Sequence, residues 1–205
     1  MDVTVGRGAR FSRDTGPQGR GPSRDSVAGR SGIEIFGRTR RFGGVLTIRP
    51  TKMLARQLGI DVPAVVPEVP SRVADWCAHS FTFGRRRWLI FCNTASLYAV
   101  LAQAKGVTDG ESLGRRLAGM VNQVLRENGL PDQAAIFERE MRDYQWAPIP
   151  DRSVLGSMND LRYLAEAALG DPNLTPTALS AWLGKTPMSA LGMNTPASAL
   201  ATLRT

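Results

Sequence analysis

Apolar and polar residues alternate through Val45-Leu46-Thr47-Ile48-Arg49, a β-rich stretch whose period of two predicts a strand ended by Pro50. Thr51 is placed to cap a short helix, Lys52 to Leu58, which Gly59 closes. Residues 60–72 contain Pro63, Pro67 and Pro70 and read as an extended connection over the surface. Asp75 to Phe83 alternates again, with Cys77, His79, Phe81 and Phe83 on one side and Trp76, Ala78, Ser80 and Thr82 on the other. Gly84-Arg85 fits a tight turn into Trp88-Leu89-Ile90-Phe91-Cys92, a continuous apolar run expected of a strand buried on both faces.

After that strand the period lengthens. Asn93 or Thr94 is expected to cap a helix through Ala104, with Leu97, Val100, Leu101 and Ala104 inward. The clearest helix runs from about Gly110 to Asn128, where Leu113, Leu117, Met120, Val121, Val124 and Leu125 recur at helical spacing. Gly129 and Pro131 stop it, and a second helix follows from Pro131 to about Arg142. Tyr144 to Ile149 reads as a strand that Pro148 and Pro150 push to a sheet edge. The next helix buries Leu155, Met158, Leu161, Ala165 and Leu169 and stops at Gly170-Asp171-Pro172. Thr175-Pro176 opens another, with Leu179, Trp182 and Leu183, and a short one starts at Pro196. The pattern predicts an α+β fold: a small mixed or antiparallel sheet of about four strands against five to seven helices.

Composition changes this picture at one end. The chain has 205 residues, a formal charge of +8 and 42% apolar residues, enough for one domain with a real core. Residues 1–43 hold nine Arg and four acidic residues, dominated otherwise by Gly, Ser and Pro, and are expected to be a disordered arm. Residues 44–205 are expected to form a single domain that is only mildly basic. No apolar run approaches the roughly 20 residues of a membrane span, and no apolar leader is visible near Met1. Two cysteines fit a reducing cytoplasm, where the protein is expected to reside, rather than a disulfide scaffold.

The densest polar chemistry lies at Arg152-Ser153-Val154-Leu155-Gly156-Ser157-Met158-Asn159-Asp160-Leu161. If a strand passes through a Gly-containing turn into a helix there, free backbone N–H groups face an anion. Arg152 then offers a fork to a carboxylate or phosphate, and Asn159 and Asp160 orient a ligand or water. The alternative is purely structural: Ser157 and Asp160 as a capping-box-like pair, with Gly156 allowing close packing. Arg152, Ser153, Gly156, Ser157, Asn159, Asp160, Asp75 and Trp76 form the candidate ligand-binding set. No residue is assigned a catalytic role.

Cys77, His79 and Cys92 invite a metal reading, because a two-residue turn sets Cys77 across from Cys92. A structural zinc needs four ligands, and His79 is the one histidine, so a sheet interior explains them better. No metal or cofactor is expected. Trp76, Trp146 and Trp182 read as core anchors. Arg85-Arg86-Arg87 lies beside Phe83 and Trp88 at a hairpin tip, which offers a grip on nucleic acid or simply a solvated charge run.

The stretch Arg152 to Asp160 resembles, without a gap, the signature Arg-Ser-Val-Leu-Gly-Ser-Met-Asn-Asp of a bacterial family, domain of unknown function 6933. The resemblance extends to Ile48-Arg49-Pro50-Thr51-Lys52-Met53-Leu54, to Asp75-Trp76-Cys77-Ala78-His79 and to Lys185-Thr186-Pro187-Met188. The chain departs from the family pattern at His79, where Asn is usual, and at Pro148-Ile149-Pro150-Asp151, where a Lys-Thr-x-Asn run is usual. The resemblance implies a fold and a bacterial cytoplasmic setting, and no activity.

Together these readings point to a binding or interaction module with an anion- or partner-binding corner at Arg152–Asp160. The ligand is expected to be a small anion or a protein. One alternative is an enzyme using Arg152, Asn159, Asp160 and Asp75; another is nucleic-acid binding through the basic tail and Arg85–Arg87. No membrane contact is expected.

Overall fold

The computed structural model describes residues 44–204, and the expected arm over residues 1–43 lies outside the described residues. The strands are β1 (Val45–Pro50), β2 (Asp75–Phe83), β3 (Arg86–Asn93), β4 (Ala99–Gln103) and β5 (Asp143–Trp146). They form one mixed sheet in the order β4-β3-β2-β1-β5. The β1 strand runs parallel to both β2 and β5, while β2, β3 and β4 are successive antiparallel partners. The fold is α+β, with α1 (Lys52–Leu58), α2 (Gly110–Glu127), α3 (Pro131–Glu140), α4 (Arg152–Ala168), α5 (Pro176–Lys185) and α6 (Pro196–Thr202) around the sheet.

Strand alternation sends side chains into two cores. On one face Leu46, Ile48, Trp76, Ala78, Leu89, Phe91, Val100 and Ala102 meet α1, α2, α3 and α6. On the other, Cys77, Phe81, Trp88, Ile90, Cys92, Ala99 and Leu101 meet α4 and α5. Trp76 is fully buried, stacks edge-to-face on Phe137 at 6.0 Å and donates its indole N–H to the Val73 carbonyl. The hairpin register matches expectation: Gly84 and Arg85 both hold positive φ, and Cys77 lies directly opposite Cys92.

One element differs. The segment 94–104, expected to be a helix, turns at Leu97 (φ 58°) and forms β4. Val100 and Leu101 are both wholly buried, one on each face of the sheet. An apolar run buried on both faces carries no period that separates strand from helix. This substitution accounts for the fifth strand and for the loss of one expected helix.

The free edge of β4 is covered. Ser180 Oγ, on α5, accepts the Leu101 N–H at 3.0 Å and donates to the Pro176 carbonyl. Gly184 makes the approach feasible, since a Cβ there would lie 2.6 Å from the Tyr98 ring. Trp182, expected in the core, instead points outward from α5 and is 45% exposed. Leu179 and Leu183 fill the inward positions of that helix, leaving Trp182 on the other side.

Candidate functional site

The signature stretch is helical from its first residue. Asp151 is the N-cap of α4: its carboxylate accepts the Ser153 N–H at 3.0 Å, and that bond holds the carboxyl below its usual range. The expected strand-turn-helix corner is therefore replaced by a regular helix start, and Ser157 is not its cap. Pro150 supplies the break, and Asp151 outcompetes Ser157 because a cap must sit outside the helix with extended backbone, here φ −145°. An intrinsic carboxylate takes the Ser153 N–H and places its negative charge at the helix start, where an external anion was expected.

Helical spacing then sorts the signature by face. Ser157, Met158 and Leu161 turn toward the sheet and are buried. Arg152, Ser153, Gly156 and Asp160 are exposed, Asn159 is half-exposed, and Tyr163, 62% exposed, continues the same stripe. Arg152, Asn159 and Asp160 make no side-chain hydrogen bond or ion pair with other described residues. Next to the stripe, Arg162 pairs with Glu166 at 2.5 Å and lies 4.1 Å over the Tyr163 ring.

Asp75 and Trp76, the other two members of the set, are elsewhere. Trp76 belongs to the core on the opposite face of the sheet. Asp75 is 7% exposed, accepts Arg49 Nε at 2.7 Å and accepts the Thr94 hydroxyl at 2.8 Å. Arg49 also donates to the Pro148 carbonyl, so one guanidinium ties β1, β2 and the segment entering α4. No hydrogen bond joins Asp75 to Asn159 or Asp160 among the described residues.

Arg49 carries no sequence signal of burial: Thr47 and Arg49 share the face of β1 opposite Leu46 and Ile48, which alternation predicts to face solvent, yet both are buried in the fold. A buried cation requires a buried acid, and Asp75 opens the neighbouring strand. Asn93 was expected to cap a helix. It instead donates from Nδ2 to the Arg72, Val73 and Asp75 carbonyls and accepts at Oδ1 from Ala95 N, Ser96 N and the Ser96 hydroxyl.

The thiols are chemically quiet. Burial pushes Cys77 up to about 12, assisted by Asp75, and burial likewise raises Cys92, so both stay protonated and poor as nucleophiles. Among the described residues no three His, Cys, Asp or Glu side chains are grouped to hold a metal ion.

His79 is half-buried, with Nδ1 3.2 Å from the Thr51 hydroxyl. Burial lowers its pKa first, and the Arg162 charge lowers it further against an opposing pull from Glu166. The unfolded chain therefore binds the proton at a pH where the folded chain does not. Stability is full above the ordinary histidine value of about 6.5 and declines as pH falls below it. Urea unfolding from pH 7.5 to 5 is expected to show this decline, and His79→Asn to flatten it; an unaltered profile in the variant assigns the slope to other groups.

Among the described residues no helix is long and apolar enough to cross a membrane. No match is found among curated proteins, and none among solved structures. Residues 47–199, spanning the sheet, the Arg49–Asp75 pair and the whole of α4, match the family described as Domain of unknown function (DUF6933), and the chain belongs to that family.

Proposed function

We propose that the protein is a binding module for another protein, and that its docking surface is the outer stripe of α4: Arg152, Ser153, Gly156, Asn159, Asp160 and Tyr163. Residues 44–205 act in this reading as one cytoplasmic domain without a cofactor. The observation that carries it is Gly156. It sits in the middle of a 17-residue helix, and a Cβ built there meets nothing within 4 Å. Glycine costs a helix interior about 0.5–1 kcal/mol relative to alanine, and nothing in the described fold requires it at this position. A partner backbone that approaches the helix closely does. The unpartnered Arg152, Asn159 and Asp160 supply polar contacts around it, and Tyr163 with its stacked Arg162 supplies the anchor residue types that dominate interfaces.

A small-anion reading is less well supported, because Asp151 already neutralises the helix start. An enzyme reading needs Asp75 beside Arg152, Asn159 and Asp160, and Asp75 is engaged with Arg49 and Thr94 beneath the surface. Gly156→Ala is expected to raise stability by about 0.5–1 kcal/mol while weakening the partner, measured by urea unfolding and by capture. A photo-reactive side chain replacing Ser153, in the intact chain in its own cells, should give a discrete protein adduct that Gly156→Arg abolishes. No adduct, or one indifferent to Gly156→Arg, counts against the stripe.

A further inference from the structure

The β2–β3 hairpin outruns its neighbours. The β1 strand pairs with β2 only as far as Ala78, and β4 pairs with β3 only as far as Trp88. Beyond them come the pairs Thr82↔Arg87 and Phe83↔Arg86, closed by Gly84-Arg85; Ala104 still bonds the Arg87 carbonyl and Phe83 packs against the second core, so the two-stranded tip is the Phe83↔Arg86 pair and the turn. One pair and a turn project by roughly 7 Å at about 3.4 Å per residue. Three consecutive arginines cover this tip. Arg86 and Arg87 leave opposite faces of the ribbon, and Arg85 stands at its end.

Three observations mark the tip as more than a solvated turn. First, Arg85, Arg86, Arg87 and the adjacent Lys105 are exposed, and none has a carboxylate partner among the described residues. Second, the cations are held together. Ala104 N donates to the Arg87 carbonyl at 2.9 Å, and Arg116 donates to the Gln103 and Lys105 carbonyls, so Lys105 and Arg116 abut the ribbon base. Third, Arg85 holds φ 63°, a left-handed conformation that a type I′ turn favours for Gly or Asn and that strains an arginine. A local strain retained for a charged side chain points to a use for that charge.

We infer that this ribbon docks into the major groove of duplex DNA, gripping phosphates without strong sequence preference. The B-form major groove is about 12 Å wide and 8.5 Å deep and admits a two-stranded β-ribbon. Arg86 and Arg87, on opposite faces, reach the phosphates of the two walls, and Lys105 and Arg116 extend the contact at the groove mouth. The deep, narrow major groove of duplex RNA does not admit the same ribbon. An acidic protein surface offers charge but no groove of this depth.

The test is fluorescence anisotropy of a labelled 20-base-pair DNA duplex with the full chain at salt from 50 to 200 mM. The nine arginines of residues 1–43 are common to all variants, so differences isolate the ribbon. Arg85→Ala/Arg86→Ala/Arg87→Ala is expected to weaken binding at least 10-fold and to reduce the slope of log K against log salt by about 2–3. Arg85→Gly is expected to raise Tm by about 2–4 °C while weakening binding, which separates loss of contact from loss of fold. Duplex RNA and polyglutamate are expected to compete poorly. No binding at 50 mM salt, unchanged affinity in the triple variant, RNA bound as tightly as DNA, or polyglutamate competing as well as DNA each overturns the inference.

Discussion

Asp75→Ala is expected to cost the folded protein about 3–5 kcal/mol, the range found when one member of a buried ion pair is removed. Both side chains are withdrawn from solvent, at 3% exposure for Arg49 and 9% for Asp75. Truncation leaves the Arg49 guanidinium buried with, among the described residues, the Pro148 carbonyl as its one acceptor, and it leaves the Thr94 hydroxyl without its carboxylate. The measurement is the urea midpoint at unchanged m value. The pair is a constraint rather than a net source of stability, because desolvation of two ions offsets most of their attraction. Arg49→Met/Asp75→Leu should therefore recover most of the loss. A double variant as unstable as the single one would mean that the polar contacts themselves, and not the orphaned charge, carry the cost. Since Arg49 also fixes Pro148 against β1, the entry of α4 should loosen in Asp75→Ala, visible as faster amide exchange through residues 151–156.

Asn93→Ala is expected to be similarly severe, at about 3 kcal/mol or more, because a buried donor or acceptor left unsatisfied costs about 1–3 kcal/mol each. The Asn93 side chain is wholly buried and is shared between three carbonyls and three donors. Asn93→Asp tests the mechanism more sharply: it keeps the shape and the acceptor but sets a carboxylate oxygen against the carbonyls of Arg72, Val73 and Asp75. Asp is therefore expected to be no better tolerated than Ala in thermal unfolding. A well-folded Asn93→Asp protein would show that the donor half of this network contributes little.

The binding proposals concern different surfaces and fail separately. The α4 stripe predicts a protein adduct that depends on position 156, and the hairpin predicts a salt-dependent affinity that depends on positions 85–87. Variants at one surface should leave the other measurement unchanged, since sites with no shared partners behave additively.

Much of the fold was legible because its signals are local. A Thr before Lys52, Pro at the first turn of α3, α5 and α6, and the left-handed glycine after α1 each act within a few residues. The strand register around Gly84-Arg85 follows from turn geometry alone, which is why the Cys77–Cys92 pairing could be read without coordinates. The resemblance carried by Arg152 to Asp160 likewise depends only on residue order. Its local geometry did not follow, since Ser157 and Asp151 are both adequate caps and only the path of the chain after Pro150 decides between them.

What the chain alone determined is the α+β class, most element positions, the facing of β2 and the family. Tertiary structure alone decided that 99–103 is a strand, because its identity rests on a vacant sheet edge beside β3 and on Ser180, about eighty positions further along. It also decided that Asp75 belongs to Arg49 rather than to Asn159 and Asp160, and that Arg152, Gly156 and Asp160 share an outer face. The physical reason is common to these cases. Caps, turns and periodicity are paired over a few residues, whereas a buried ion pair or a covered sheet edge is settled by which distant groups compete successfully for one another once water is removed.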